Sequence, residues 1–272
     1  MQKNNLTAVI IARNEEAMIL NCIDTLKWCE AILVIDNGST DATSEIAEMA
    51  GATVVAIKSN SFARTREEAL KYVKTGWVFY IDADERVSPS LAKELSVKIE
   101  TNVASAFTLL RKNYFFGHEV SYGGWQNDQV TRVFQMTNLE GWYGDIHESA
   151  RYTGASQLLN SPLLHFTHRS VVSNLKKSIE WTPMEAAAFI KAGIEPVTAM
   201  TLFRKGGMEF FRRAIAQKGY KDGMSGVVEA LIQAMNRVWV YIQVWELQQQ
   251  PSISDRYEIL EKELQKKWKS KG

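Results

Sequence analysis

The sequence predicts an α/β fold, a Rossmann-like mixed sheet followed by a helical C-terminal extension. Three patterns predict it. Over residues 1–105 short β-branched runs alternate with helix-period segments; over 106–170 strand-like runs are joined by loops rich in Gly, Asn and aromatic residues; from residue 171 the periodicity is helical. Strands separated by helical crossovers give a parallel sheet covered on both faces. A mixed sheet with long loops is expected where a substrate is held.

Residues 6–11 read as the first strand, and a helical stretch over 15–28 places Ile19, Ile23 and Leu26 on one face. A second strand over 31–35 leads through a Gly-containing turn into a helix over 41–50. A strand over 53–57, a helix near 64–73 and a strand over 77–81 continue the alternation. Ser88-Pro89 then supplies an N-cap and a first-turn proline for a helix over 91–100. Strands over 106–114, 129–135 and 161–166 follow without helices between them. In the helical region Gly206-Gly207 and the glycines between 219 and 226 separate the segments, of which 227–247 is the longest.

At 272 residues and 46% hydrophobic composition, the chain can build a sizeable core, which excludes a disordered tail or a disulfide-stapled miniprotein. Cys22 and Cys29 form no C-x-x-C, stand near no Cys/His cluster and follow no secretory segment. Structural zinc and an exported disulfide framework are therefore not expected, and a reducing cytoplasm is. The apolar stretch 227–247 carries Glu229, Arg237 and Glu246, too polar for a membrane span. The net charge of +1 combines 19 basic and 23 acidic residues over 1–200 with 13 basic and 8 acidic residues over 201–272.

In a doubly wound sheet, ligands bind at the carboxyl ends of the strands. Three strand ends here are polar: Ala12-Arg13-Asn14-Glu15-Glu16, Asp36-Asn37-Gly38-Ser39-Thr40-Asp41, and Asp82-Ala83-Asp84-Glu85. The i, i+2 spacing of Asp82 and Asp84 puts both carboxylates on one side of an extended backbone. Such neighbours repel unless a cation lies between them, and oxygen ligation of this kind suits Mg²⁺ or Mn²⁺ bridged to phosphates. The other reading is an acidic turn ahead of the helix at Ser88-Pro89. Asp36 could accept from a nucleobase N–H or a ribose hydroxyl, or could form an Asx-turn before the next helix. Taken together, three such strand ends suit a nucleoside diphosphate with a metal.

These three segments resemble the signatures of family 2 glycosyltransferases, whose fold is GT-A, and the resemblance covers about residues 5–170. Further segments are similar to the branch of lipopolysaccharide-core β-1,4-glucosyltransferases. These are Arg66 with Ala69-Leu70, Arg111-Lys112-Asn113-Tyr114-Phe115-Phe116-Gly117, Gly123-Gly124-Trp125 with Asp128 and Arg132, His147-Glu148, and Pro162-Leu163-Leu164-His165. The resemblance implies a GT-A catalytic domain over 1–170, with nucleotide-sugar binding in 1–105 and the acceptor side in 106–170, and a helical extension over 171–272. It implies an inverting transfer from a UDP-sugar, glucose or N-acetylglucosamine foremost, with Mn²⁺ or Mg²⁺. Its nucleotide-sugar set falls on Ala12, Asn14, Glu15, Asp36, Arg66, Asp82, Ala83 and Asp84, with Asp84 the more direct metal ligand. Where the family usually has Asn after the arginine, this chain has Glu67.

Inversion needs a carboxylate to take the proton of the attacking acceptor hydroxyl. Many family members use a Glu-Asp pair for this, and the chain contains none. Glu148 lies in the comparable region and is the expected base, with Asp145 and Asp128 in reserve; alternatively Glu148 orients His147 or pairs with Arg151. His147 and His165 are each either a further metal ligand or a structural residue. Arg111 and Arg132 contact diphosphate or acceptor phosphate, or else lie on a solvated strand edge. Trp125 is expected on the acceptor side, because sugars stack on aromatic rings, and most of Tyr114, Phe115, Phe116, Tyr122, Trp142 and Tyr143 are assigned to packing.

The extension mixes cations and aromatics over 203–213, followed by Trp239, Tyr241 and Trp245. This suits contact with an anionic membrane surface through 203–247, or a packed helical subdomain, or a homodimer interface. The acceptor is expected to be lipid-linked or part of a cell-surface glycan, with the enzyme cytoplasmic or peripheral at the inner face of the cell membrane. A pI near 7.7 and the absence of a groove-reading motif exclude nucleic acid. Two further readings stay open: transfer to polyprenyl phosphate, and a nucleotide-binding scaffold without catalysis, against which Asp36, Asp82 and Asp84 argue.

Overall fold

The computed structural model of the chain describes residues 4–59, 61–144 and 149–270. Two compact units are present: Met1–Glu119 with Trp125–Thr167, and Val120–Gly124 with His168–Gly272.

The first unit begins with alternating elements: β1 (Asn4–Ala12), α1 (Ile19–Asp24), β2 (Cys29–Asp36), α2 (Thr43–Met49), β3 (Thr53–Ala56), α3 (Phe62–Leu70) and β4 (Trp77–Asp82). Then follow β5 (Glu85–Val87), α4 (Pro89–Thr101), β6 (Ala106–Phe115), β7 (His118–Val120), β8 (Gln129–Gln135), β9 (Leu139–Tyr143), β10 (Ser149–Tyr152), β11 (Ser156–Leu158) and β12 (Leu163–Phe166). The main sheet runs β3-β2-β1-β4-β8-β6-β12-β5, with β7 and β11 added to β6, while β9 and β10 form a separate antiparallel pair. Strands β1 to β4 are mutually parallel and β8 is antiparallel to both β4 and β6, so the sheet is mixed, as expected.

The parallel half is buried on both faces, which explains its continuous apolar runs. Leu6, Ala8, Ile10, Phe79 and Ile81 meet Ile19, Ile23 and Leu26 around α1 and Leu91 and Leu95 of α4. Val9, Leu33, Ile35, Val78 and Tyr80 pack with Ala69 of α3 on the opposite face. From β1 the chain goes to β2 and β3 on one side and then to β4 on the other, the reversal that opens a crevice at the strands' carboxyl ends. Register pairs Ala12 with Asp36 and Ile11 with Asp82, bringing the three polar strand ends level.

Several elements differ from expectation: Gly206-Gly207 lie inside a continuous helix over Ala199–Phe210 instead of separating two segments, β5, β7, β9, β10 and β11 have no counterpart among the expected strands, and two further differences have a traceable cause. The helix expected over 15–28 is reduced to Ile19–Asp24. Asn14 is left-handed (φ 56°), and the backbone N–H groups of Glu15 and Glu16 donate to Thr43 Oγ1 (2.8 Å) and Asp41 Oδ2 (3.2 Å), which ties this stretch to the neighbouring loop. The last strand starts at Leu163 rather than 161, because the N–H groups of Asn160 and Ser161 donate to the Glu94 carboxylate (2.9 and 2.8 Å).

The second unit contains α5 (Val171–Lys191), α6 (Ala199–Phe210), a wider helical turn over Phe211–Ala216, a short turn over Gly219–Asp222, α7 (Gly223–Leu247) and α8 (Ile253–Lys269). Ser170, Thr198 and Ser252 cap α5, α6 and α8 by accepting from the backbone three residues on. Ala186, Val197, Val240, Tyr241 and Val244 form its core, whereas α8 buries no residue. Residues 120–124 join this unit because Ser121 and Tyr122 donate to Asp222 Oδ2 (3.1 and 2.8 Å) and Gly123 donates to the Gln217 carbonyl (2.9 Å). No described helix is long and apolar enough to cross a membrane.

Gly226 is fixed by space, since a Cβ there would collide with the Gly219 carbonyl oxygen. Gly226→Ala is therefore expected to destabilise the helical unit by about 1–3 kcal/mol, the usual range for overpacking, read as a lowered thermal midpoint in circular dichroism.

Candidate active site

The first two strand ends are stitched into one platform. Asn14 N–H donates to Ser39 Oγ (3.0 Å), and Asn14 Oδ1 accepts from Thr40 N–H (2.8 Å). Asn37 N–H donates to the Ala12 carbonyl, and the Asn37 amide exchanges two hydrogen bonds with the Ser59 backbone (2.9 and 3.0 Å). Asp36 accepts from Ser39 N–H (2.8 Å) and Ser44 Oγ (2.9 Å), so the Asx-turn geometry exists at this position. Burial alone would raise its pKa, but the hydrogen bonds from Ser39 and Ser44 prevail and hold the carboxyl below its ordinary range.

The third strand end sits on a network of charges. Glu85 is completely buried; its Oε2 accepts from Asp82 N–H (2.9 Å), and its Oε1 lies 3.5 Å from a guanidinium nitrogen of both Arg111 and Arg132. Asp82 Oδ2 accepts from Arg132 (2.5 Å), and Asp82 Oδ1 is 3.8 Å from Arg66. Burial pushes the Asp82 carboxyl up, yet Arg132 and Arg66 outweigh it and the net shift is downward. Burial wins at Glu85, whose pKa is raised despite Arg132. The buried Arg86 guanidinium donates to the Ala83 carbonyl (2.7 Å) and the Met18 carbonyl (3.0 Å), pinning the turn between the two aspartates.

Asp84 faces His165, with Oδ2 and Nε2 3.5 Å apart. The Asn113 amide nitrogen donates to Asp128 Oδ2 (3.0 Å), which turns Asn113 Oδ1 toward His165 Nδ1 (2.7 Å). A carbonyl oxygen there can only accept, so Nδ1 carries a proton and Nε2 is the ring nitrogen turned toward Asp84. Asp128 also receives Arg111 through two bonds, Nε at 2.9 Å and the terminal nitrogen at 3.0 Å. Asp84 Oδ2 and His165 Nε2 are therefore two donors that could share a divalent cation, whereas Asp82 is engaged by arginines. Among the described residues no group of three or more such side chains converges.

Arg66 lies under two rings, its guanidinium carbon 5.1 Å from the Tyr80 centroid and 4.8 Å from that of Trp142. With Arg111, Arg132, Thr131, Trp142 and Tyr152 it lines a cavity of about 430 Å³. Trp125 packs edge-on against the buried Phe115 (4.8 Å). Asp145, His147 and Glu148 lie outside the described residues. Sequence reasoning did not single out Glu85, Asn113 or Trp142, although Glu85 and Asn113 stand inside the quoted motifs.

The sequence model of glycosyl transferase family 2 matches residues 7–155. The chain belongs to this family. It is 24% identical over 264 residues to the lipopolysaccharide core biosynthesis glycosyltransferase LpsC of Rhizobium meliloti, an alignment covering 92% of this chain and 96% of LpsC. An uncharacterized glycosyltransferase of Rickettsia felis is 23% identical, with 85% and 86% covered. Among solved structures, residues 1–349 of S. aureus TarS in complex with UDP-GlcNAc align at a TM-score of 0.45 and 13% identity, covering 91% of this chain and 92% of that one. The protein is thus a family 2 glycosyltransferase, with the mixed GT-A type of sheet and a helical C-terminal region.

Removing Glu85 would leave two buried guanidinium groups facing each other. Glu85→Ala in this glycosyltransferase is expected to cost about 3–5 kcal/mol of stability in chemical denaturation. Glu85→Gln tests the raised pKa. Above the ordinary value of 4.5 the folded state retains a proton that the unfolded chain has released, so stability falls as pH rises toward the raised value. The Gln variant should lose less thermal stability than the wild type over that interval, measured as melting temperature against pH.

Proposed function

We propose that this enzyme is a metal-dependent, inverting glycosyltransferase that moves glucose or N-acetylglucosamine from a UDP-sugar to a hydroxyl of a lipid-linked or cell-surface glycan. The observation that carries the reading is the Asp84–His165 pair, beside strand ends suited to a nucleotide, with its imidazole ring oriented by Asn113. The likeness to LpsC along nearly its whole length supports an acceptor in lipopolysaccharide core assembly, and a peripheral location at the inner face of the membrane is proposed with it.

Asp84 and His165 fit a divalent cation, since a carboxylate oxygen and an imidazole nitrogen are both accepted by Mn²⁺ and their 3.5 Å separation allows one ion to meet both. Asp84 and His165 would hold Mn²⁺ or Mg²⁺, which would supply charge neutralisation for the departing diphosphate. Asp36, with the platform built by Ala12, Asn14 and Glu15, orients the nucleoside; Arg66, Ala83 and Asp82 shape the diphosphate side. The acceptor oxygen forms a bond to the anomeric carbon, and the bond from that carbon to the diphosphate oxygen breaks with its electron pair on the leaving group. The acceptor proton passes to a carboxylate, for which Glu148 comes first and Asp145 second. Asp128 is disfavoured because Arg111 and Asn113 occupy its oxygens. Arg111 and Arg132 would suit a phosphate acceptor, but each is already matched by a carboxylate, which favours a hydroxyl acceptor over polyprenyl phosphate.

The test is nucleotide release across a panel of nucleotide sugars with Mn²⁺ or Mg²⁺. Asp84→Ala is expected to lower turnover by about a hundredfold or more, and Glu148→Gln to abolish transfer while UDP binding persists. Undiminished activity in Asp84→Ala would refute the metal role. Asn113→Leu should weaken Mn²⁺ binding in the presence of UDP by about 10–100-fold in calorimetry, the usual effect of losing a group that orients a ligating histidine.

A further inference from the structure

Helix α6 and the turn after it face the wrong way for a helix that ends at water. Met200, Phe203, Met208 and Phe211 are 72%, 80%, 60% and 60% exposed, while Gly206 and the carboxylate-bearing Glu209 are turned inward. Gly206 lies where a Cβ would press on Val238 of α7, so the small residue permits close packing of the inner face. Glu209 is the only acidic residue over 196–221, against six basic ones, and it is consumed by Arg212 and Arg213 (Nε at 3.1 and 2.6 Å). Over this stretch the exposed apolar residues are thus accompanied by Arg204, Lys205, Lys218 and Lys221, and the nearby Glu185 of α5 is held by Arg237 (2.7 Å). Beside it, Lys205, Arg212 and Arg237, the carboxylate of Glu209, and the apolar Met208 and Phe211 are among the residues lining a recess of about 610 Å³, with the Lys205 ammonium 5.4 Å from the Tyr241 ring centroid.

We infer that this surface of the second unit rests on an anionic lipid bilayer, with Met200, Phe203, Met208 and Phe211 at the acyl boundary and the flanking cations among headgroup phosphates. The inference names the surface behind the peripheral location proposed above and rests on that part of the reading. A second copy of the chain fits less well, because a two-fold interface would set this cationic patch against itself.

The full-length protein is sedimented with vesicles of phosphatidylcholine alone or mixed with phosphatidylglycerol, without substrate. Binding is expected to the mixed vesicles only and to weaken with salt. It should fall at least about tenfold in Phe203→Ser/Phe211→Ser and in Arg204→Glu/Lys218→Glu, with unchanged melting curves, and stay intact in Tyr257→Ser/Trp268→Ser, equally exposed on α8. Full binding by both double variants would overturn this surface while leaving the peripheral location standing. No binding of the wild type to either vesicle would overturn both. A dimer in sedimentation velocity that Phe203→Ser/Phe211→Ser dissociates, with vesicle binding unaltered, would assign the patch to a second copy and overturn the inference. Nucleotide release in vesicle-free buffer reads the transferase chemistry separately.

Discussion

Glu85 is the group on which the catalytic end of the sheet depends. Its carboxylate has no contact with water and joins the backbone of Asp82 to the side chains of Arg111 and Arg132. Arg111 leads to Asp128, Asp128 to Asn113, Asn113 to His165, and His165 faces Asp84. Arg132 leads back to Asp82, on which Arg66 also bears. Three guanidinium groups thus face three carboxylates, Asp82, Glu85 and Asp128. Desolvating any one of these ions alone would cost several kcal/mol, so the set persists only as a whole. Its product is geometric: the Asp82–Asp84 turn, the His165 ring and the cavity wall are held by one network.

Much of the first unit was legible because the physics behind it is periodic. Strands covered on both faces must be apolar throughout, so β1, β2 and β4 announce themselves, and the polar residues that follow them mark the crevice. The helix at 15–28 misled for the opposite reason. Its apolar spacing is helical, but the N–H groups of Glu15 and Glu16 found side-chain acceptors in another loop, and no local pattern records a partner 25 to 28 residues away.

The site was legible as a set of residues and not as a set of bonds. Asp82 and Asp84 read alike in the sequence, yet one meets arginines and the other a histidine. That division is decided by β8 and β12, far along the chain. Asn113 acquires its meaning only from Asp128 and His165, at separations of 15 and 52 residues. Aromatic content likewise did not distinguish Trp142, which lies over Arg66 at the cavity, from the other aromatic residues of this region.

The two units handle charge in opposite ways, and the near-zero net charge of the chain conceals it. In the first, guanidinium groups are buried, and a buried cation must be matched by an anion or it would not stay folded. In the second, the buried Glu209 is matched by two arginines and Arg237 by Glu185, while Arg204 and Lys218 stand exposed at the surface. Exposed cations act through a field that salt screens over about 8–10 Å, whereas pairs enclosed by protein are screened far less. Ionic strength therefore separates the two: it reaches the outward face of the helical unit while leaving the Glu85 network, and the geometry it imposes on Asp84 and His165, close to unchanged.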